Sequence, residues 1–205
     1  MRVRKSALAW FAIWLAITVA GCGGQGGPGD DSRGEGNIPV GKVVDPDAAP
    51  ARIVVMTSTR RRIEAFSDAT GQVYMPQLPP GPSSFTVYPL DSTKQVVSFG
   101  IVSGENQAGI FHMFLLDESI SVDPETIQGN FRDQTILVKG EKRELQFTLS
   151  KPLGGNLGPS YWVSGGKAAI RDGVIVGIEP GQGVLTVAYG QASKSFRFSV
   201  VGEGK

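Results

Sequence analysis

Hydrophobic and polar residues alternate along much of the chain after residue 38. Clear examples are residues 85–87 (FTV), 145–149 (LQFTL) and 196–200 (FRFSV). Such a period of two places one face of a strand in a core and the other in water. No sustained helical period follows the first 21 residues, and 28 glycines and 13 prolines punctuate the sequence. The pattern therefore predicts an all-β chain of short strands joined by frequent turns.

The alternating part of the chain divides near Glu118–Ser119 into two halves of similar size. Within each half, loops rich in proline and glycine separate the strands, as at 79–84 and 152–160. Each half lies within the size range of a single sandwich domain. We therefore expect two tandem β-sandwich domains, at residues 38–118 and 119–205.

The N-terminus is basic and then apolar, which is the arrangement of a secretory signal peptide. Its basic residues are Arg2, Arg4 and Lys5. The uncharged run that follows, residues 7–20 (ALAWFAIWLAITVA), is shorter than the roughly 20 apolar residues of a spanning helix. We therefore expect residues 1–21 to be a signal peptide that is removed on export.

The end of this segment, Val19-Ala20-Gly21-Cys22, resembles the lipobox of bacterial lipoprotein signals. The resemblance implies cleavage between Gly21 and Cys22, and attachment of a diacylglyceryl group to the Cys22 thiol. The alternative is an ordinary signal peptide cut elsewhere, with Cys22 a stray thiol. The lipoprotein interpretation predicts a protein held to a membrane of the bacterial cell envelope.

Residues 22–37 comprise this cysteine and a polar, glycine-rich stretch (GGQGGPGDDSRGEGN). Such a sequence has too little apolar surface to offset its ordering entropy, so it is expected to be a flexible tether. Its root-mean-square reach is about 20 Å for a random coil. Gly23 carries no charged retention signal, which favours the outer membrane in a cell that has one.

Composition excludes several classes of function. One cysteine allows no intrachain disulfide, and its acylation would leave no thiol for catalysis or metal binding. Three of the 20 basic residues lie in the expected signal peptide. After its removal, 17 basic residues would remain against 19 acidic ones, which gives a net charge of −2. A nucleic-acid-binding protein usually shows a basic face instead. A lone histidine, His112, does not readily build a triad or a metal site. We expect no cofactor, no metal and no nucleic-acid partner.

Turn residues in the first half follow a family pattern. The sequence around 67–73 (SDATGQV) and 78–85 (LPPGPSSF) resembles the carboxypeptidase regulatory-like domain, a transthyretin-like β-sandwich. The residues that match its motifs are Asp68, Gly71, Leu78, Pro79 and Gly81. Ser67, Val73 and Ser83 depart from the usual Thr, aromatic residue and Tyr. Because the matching residues form turns, the resemblance over residues 38–118 implies a fold and no chemistry.

The second half is similar to the bacterial immunoglobulin-like domain, group 2, over residues 119–202. That family has a Trp-x-Ser strand, an Ala-x-Ile strand, a Gly-x-Val-x-Gly turn and a Pro-Gly ending before a last apolar strand. The residues that match are Trp162, Ser164, Ala168, Ile170, Gly173, Val174, Gly177, Pro180, Gly181, Leu185 and Val187. Residues 165–167 (GGK) depart from the usual turn. The resemblance implies a second β-sandwich.

Tyr161 and Trp162 are the aromatic residues that could contact a sugar. Trp162 is the only tryptophan after the signal peptide, and the pattern places it in the sandwich core. Neighbouring side chains on a strand point to opposite faces, so Tyr161 is expected on the other face and is the candidate glycan contact. His112 is expected on a half-buried strand, and Arg60–Arg62 in a solvated hairpin loop.

These features predict a non-enzymatic, lipid-anchored envelope protein. The resemblances imply modules for adhesion, display and protein–protein contact, so the expected partners are the membrane, through Cys22, and an envelope protein or glycan. The alternative is a carbohydrate-binding accessory module at the cell surface. In a third interpretation the sandwiches are only spacers within a larger assembly. An enzyme would need a cleft with a nucleophile or base, for which His112 is the most obvious candidate.

Overall fold

A computed structural model describes residues 36–45, 50–104, 107–150 and 158–203. These residues form an all-β structure with sandwich packing, which confirms the predicted fold class. The strands of the first half are β1 (Asn37–Val44), β2 (Ala51–Thr57), β3 (Arg62–Phe66), β4 (Gln72–Pro76), β5 (Gly81–Pro89), β6 (Val97–Ser103) and β7 (Phe111–Phe114). Those of the second are β8 (Ile127–Gly129), β9 (Thr135–Val138), β10 (Lys142–Glu144), β11 (Phe147–Leu149), β12 (Ser160–Ser164), β13 (Ala168–Arg171), β14 (Val174–Gly177), β15 (Gly181–Tyr189) and β16 (Ala192–Val201).

One long sheet runs through both halves, with seven strands in the order β4-β1-β7-β12-β15-β16-β9. We call it the long sheet. A four-stranded sheet, β3-β2-β5-β6, packs on one face of the part of the long sheet that the first half contributes. The small sheets β10-β14-β13 and β11-β8 pack on the opposite face, against the part of the long sheet that the second half contributes. Each half is thus a two-layer sandwich, and the two sandwiches share a sheet.

The halves meet where β7 pairs antiparallel with β12. In this register Phe111 opposes Trp162, and His112 opposes Tyr161. The predicted division near 118–119 lies in the chain between these two strands, yet the hydrogen bonding of the sheet continues across it. The first half therefore has no free edge at β7, because the second half supplies the next strand.

Trp162 is buried, as the sequence predicts, but it packs in the core of the first half. It stacks on Phe99 with ring centroids 4.8 Å apart. Phe99 in turn stacks on Phe85 at 5.2 Å and meets the edge of Phe111 at 5.7 Å. The second half thereby contributes its largest side chain to the aromatic cluster of its neighbour.

The expectation that Tyr161 faces solvent is wrong. Tyr161 does point to the face opposite Trp162, but that face is covered by the second core, and only 4% of Tyr161 is exposed. Its hydroxyl donates to the carbonyl of Leu145 at 3.2 Å, and burial raises the pKa of Tyr161. Because β12 lies where the two sandwiches overlap, both of its faces are buried. Tyr161 is therefore a core residue and no glycan contact.

The predicted turn at Asp68–Gly71 is confirmed. The Asp68 carboxylate accepts hydrogen bonds from the backbone amides of Thr70 at 2.8 Å and Gln72 at 3.0 Å. Gly71 has a positive φ of 79°, a conformation that residues with a Cβ rarely adopt. These local bonds direct the chain from β3 into β4, the strand at one end of the long sheet.

The connection between the halves is tied to the surrounding loops. The side-chain amide of Gln95 donates to the carbonyls of Asp117 and Ile120, both at 2.8 Å. Lys94 is 8% exposed and forms an ion pair with Asp117 at 3.0 Å. The amide of Glu118 donates to the carbonyl of Thr93 at 2.8 Å. The segment around 117–120 is thus held against the first half.

The predicted signal peptide, the cleavage site between Gly21 and Cys22, and tether residues 22–35 lie outside the described residues. The described part starts at Gly36, one residue before β1. Within that part, no helix has the length and apolar character needed to cross a membrane.

Candidate functional site

A cleft of about 350 Å³ opens where the two halves meet. We call it the junction cleft. The polar residues that line it are Lys42, Gln72, Tyr74, His112, Arg171 and Asp172. The first four belong to the first half, and the last two belong to the end of β13 and the turn that follows it. The cleft therefore exists only because the halves are held together.

Strand register brings the first four of these residues onto one face of the long sheet. Lys42 on β1 lies opposite both Gln72 on β4 and His112 on β7. The residues next to them in the chain, Val43 and Phe111, point to the other face of the sheet and into the core of the first half. A bulge between Pro39 and Gly41 shifts the register of β1 and lets Val40 face the core as well.

The second half closes the cleft through the turn between β13 and β14. Asp172 and Gly173 both have positive φ angles, 46° and 77°, which turn the chain sharply at this point. The ammonium of Lys42 donates to the Asp172 carboxylate at 2.8 Å, across the junction. This hydrogen bond and the Lys42 charge lower the pKa of Asp172. One side of the cleft is thus formed by the ion pair between Lys42 on β1 and Asp172 in the β13–β14 turn.

A short loop between β6 and β7 also joins the two halves beside the cleft. The amide of Gly109 donates to the carbonyl of Pro39 at 3.0 Å, and its carbonyl accepts from the amide of Ile170 at 2.6 Å. The amide of Val163 donates to the carbonyl of Ile110 at 2.9 Å. Two of these backbone bonds link β13 to β1 through Gly109, and the third ties β12 to the same loop.

His112 is half-buried in the cleft, as the sequence predicts for its strand. Burial lowers the pKa of His112, and the nearby charge of Lys42 lowers it further, whereas Asp172 opposes this shift. Its Nδ1 atom is enclosed and has no hydrogen-bond partner among the described residues. The lowered pKa favours a neutral ring at neutral pH.

The surroundings of the junction cleft are basic. Arg171 is exposed and has no ion-pair partner within the described ranges. It also borders a second, more open depression of about 540 Å³, which Lys139, Lys142 and Glu203 line. Together the two depressions carry four permanent cations against two carboxylates. The whole chain has a formal net charge of only +1, so this basic region stands out from the average.

No set of three or more His, Cys, Asp and Glu side chains is grouped for metal binding in the part of the chain that the structure describes. His112 is also poorly placed as a general base. A base in a Ser-His-Asp triad is oriented by a carboxylate on its other nitrogen, whereas the Asp172 carboxylate is bonded to Lys42. The cleft presents hydrogen-bonding side chains and charged groups.

Sequence reasoning finds His112 but misses the other cleft residues. The pairing of β1 with β4 brings Lys42 and Tyr74 together, and Arg171 reaches them only because the second half packs against the first. The available signal is the alternation in β1 and β4, which puts Lys42 and Tyr74 on their outward faces. Nothing in that signal identifies the turn that covers them.

No known family model matches this chain, and no curated protein matches it significantly. Among solved structures, domains 4–9 of the surface layer protein SbsC are similar over 75% of this chain, at 14% identity and a TM-score of 0.29. Extracellular domains 3–5 of Drosophila OTK are similar over 82%, at 7% identity and a TM-score of 0.24. The matches cover 22% and 65% of those two chains. Likeness at this level carries no argument about function.

Proposed function

We propose that this chain is a non-enzymatic, lipid-anchored protein of the bacterial cell envelope. Its two β-sandwiches act as one rigid body that contacts an envelope protein, mediates adhesion or spaces other components. The observation that supports this proposal most strongly is the long sheet that runs through both halves. A shared sheet holds two sandwiches at one fixed orientation, which suits a protein that presents a surface at a distance from a membrane.

Side-chain packing supports rigidity independently of the sheet. Trp162 fills a place in the N-terminal core, and the hydroxyl of Ser164 accepts a hydrogen bond from the Val102 amide at 2.8 Å. Around the junction, Gln191 donates to the carbonyl of Val96 at 3.0 Å. Linked modules without such contacts are expected to move relative to each other.

Membrane attachment would come from Cys22 and the glycine-rich residues behind it. The predicted tether leads directly into β1 at Asn37, so the anchor enters the body at the long sheet. With a reach of about 20 Å, it would leave the sandwiches close to the lipid surface yet free to turn.

The anchor is tested by labelling cells with a palmitate analogue. The wild-type chain should incorporate the label and sediment with membranes. Cys22→Ser should lose the label, and it should either become soluble after cleavage elsewhere or remain at the membrane as an uncleaved precursor. Equal labelling of the two chains would overturn the lipoprotein assignment.

The outer face of β9 and β16 is the best candidate for contact with a protein. Ile136, Val138 and Val201 are 61%, 40% and 41% exposed. Val138 lies opposite Val201 in the parallel pairing of these strands, so the three side chains share a face. Exposed apolar side chains grouped in this way are typical of interaction surfaces.

A photo-crosslinking amino acid at position 136, in intact cells, tests this contact. The proposal predicts one discrete crosslinked product, which Val138→Lys should abolish. Val102 is 54% exposed on β6 and serves as a matched control position, from which that product should be absent. Absence of crosslinks at position 136 would favour a pure spacer.

The second candidate function is carbohydrate binding. Tyr161, the residue that the sequence suggests for it, is buried, but the junction cleft presents a different tyrosine, Tyr74, among polar side chains. That observation moves the candidate glycan site from β12 to the cleft.

A further inference from the structure

We propose that the junction cleft binds an acidic saccharide, one whose sugar ring carries a carboxylate, as a uronic acid does. This inference deepens the second candidate function and does not depend on the lipid anchor or on the β9–β16 contact. It commits to Arg171 for the carboxylate, Tyr74 for the sugar ring, and Gln72 and His112 for the hydroxyls.

The size of the cleft fits a short saccharide. Small-ligand sites usually enclose about 300–1,000 Å³, and the junction cleft has a volume of about 350 Å³. It continues past Arg171 and Asp172 into the more open depression beside Lys139 and Lys142. An oligosaccharide would place one sugar unit in the cleft and the next beside Lys139 and Lys142.

The charges of the cleft favour an anion. Arg171 is exposed without an ion-pair partner in the described structure, and a guanidinium matches a carboxylate through two parallel hydrogen bonds. Lys42 forms an ion pair with Asp172, so it contributes to the shape of the cleft and is not assigned to the ligand. Lys139 and Lys142 extend the positive region beyond the turn. A neutral ligand would accept hydrogen bonds from these cations without the added attraction between opposite charges.

The remaining groups favour a sugar over a simple anion. Tyr74 lines the cleft, and an aromatic side chain suits the apolar C–H face of a pyranose ring. Gln72 donates through Nε2 to the carbonyl of Gly41 at 2.6 Å, so this bond fixes its amide and presents Oε1 as an acceptor. His112 also lines the cleft, and a neutral imidazole carries one N–H donor. Donors, acceptors and an aromatic ring together are what recognition of a hydroxylated ring requires.

The concave shape argues against a flat anionic partner. A lipid surface or a nucleic-acid duplex is usually met by an extended basic face whose contacts weaken steeply with salt. Here the cations line a cleft between two β-sandwiches, and Asp172 and Glu203 are interspersed among them. This arrangement fits one acidic group in a defined position.

The test uses the mature chain from residue 22 with Cys22→Ser, which keeps the protein soluble. Trigalacturonic acid is the probe, neutral galactotriose is the matched control ligand, and binding is measured by calorimetry. We expect saturable binding of the acidic trimer and binding of the neutral one that is weaker by on the order of tenfold or more. Inorganic phosphate and vesicles that contain phosphatidylglycerol are further arms.

Variants locate the site. Arg171→Gln should weaken binding of the acidic trimer by on the order of tenfold, and Tyr74→Leu should weaken acidic and neutral trimers alike. Arg61→Gln, on the exposed β2–β3 hairpin, is the matched control and should change nothing. Thermal unfolding of each variant shows whether it is folded.

The inference is overturned by three results: no saturable binding of the acidic trimer, binding that Arg171→Gln leaves unchanged, or equal displacement of the trimer by phosphate. Vesicle binding that depends on Arg171 would assign the cleft to lipid headgroups and overturn it too. Each of these results leaves palmitate labelling and the position-136 crosslink untouched, so the two proposals fail separately.

Discussion

Among single residues, the two neighbours on β12 show what alternation can and cannot predict. It assigns Tyr161 and Trp162 to opposite faces, which is what the structure shows. It does not reveal which core covers each face, since that depends on strands far away in sequence. The prediction that Trp162 is buried is therefore confirmed but in the other sandwich, and the prediction that Tyr161 is exposed is wrong.

Tyr161→Phe tests the role of this residue in the core. The change removes the hydroxyl that donates to the Leu145 carbonyl at 3.2 Å and keeps the ring. We expect the free energy of unfolding to fall by about 1 kcal/mol, measured by urea denaturation, with no change in binding of the acidic trimer. Loss of binding at unchanged stability would restore Tyr161 as a ligand contact.

His112 should make stability depend on pH in one direction. Its pKa in the folded protein lies below the ordinary value of 6.5, so the unfolded chain binds a proton more readily. Its stabilising contribution is thus complete above about pH 6.5. It is lost as the pH falls from there through the folded pKa. The charged groups that face the ring are Lys42 and Asp172, with Tyr161 packed beside it.

Urea midpoints of wild-type and His112→Asn proteins, measured from about pH 5.5 to 7.5, check this prediction. The difference between the two should grow as the pH falls, with the wild type losing stability relative to the variant. Because the chain has one histidine, no other imidazole confuses the comparison. Parallel curves for the two proteins would show that His112 titrates normally.

For whole strands and turns, the sequence predicts the elements better than it predicts their partners. The Asp68–Gly71 turn is fixed by bonds within five residues, so local chemistry identifies it. The pairing of β7 with β12 joins segments that are far apart in the chain. Such a choice depends on the packing of both cores, and no pattern within either strand encodes it.

Two glycines in turns of the second half have similar backbones but different surroundings. Gly166, in the turn between β12 and β13, has a φ of 66°, and a Cβ there would lie 2.7 Å from the Cα of Gly104 after β6. Gly173 has a φ of 77°, and a Cβ there would meet nothing within 4 Å. A side chain at either position would therefore strain the backbone because of the positive φ. Only a side chain at position 166 would also crowd the other half of the molecule.

Replacing each of these glycines by alanine separates the two effects. Gly166→Ala should lower the free energy of unfolding by about 1–3 kcal/mol more than Gly173→Ala, because of crowding against Gly104. Chemical denaturation of both variants measures the difference. Equal losses would mean that the backbones at Gly104 and Gly166 can separate freely, contrary to a tight junction.

The molecule as a whole differs from the picture of two modules on a string. The long sheet, the placement of Trp162 and the Lys42–Asp172 ion pair all cross the junction. Resemblance predicts a sandwich for each half because the turn and strand motifs of each half are local. It carries no information about the junction cleft, since the residues that line the cleft come from both halves.

Pulsed hydrogen exchange across a urea series shows whether the two halves unfold as one cooperative body. Peptides from β5 report on the first core, and peptides from β15 report on the second. Both should lose protection at the same urea concentration, since unfolding either half would strip Trp162 and its strand from the other. Two separate midpoints, with β15 protected after β5 has exchanged or the reverse, would mean that the halves are independent domains.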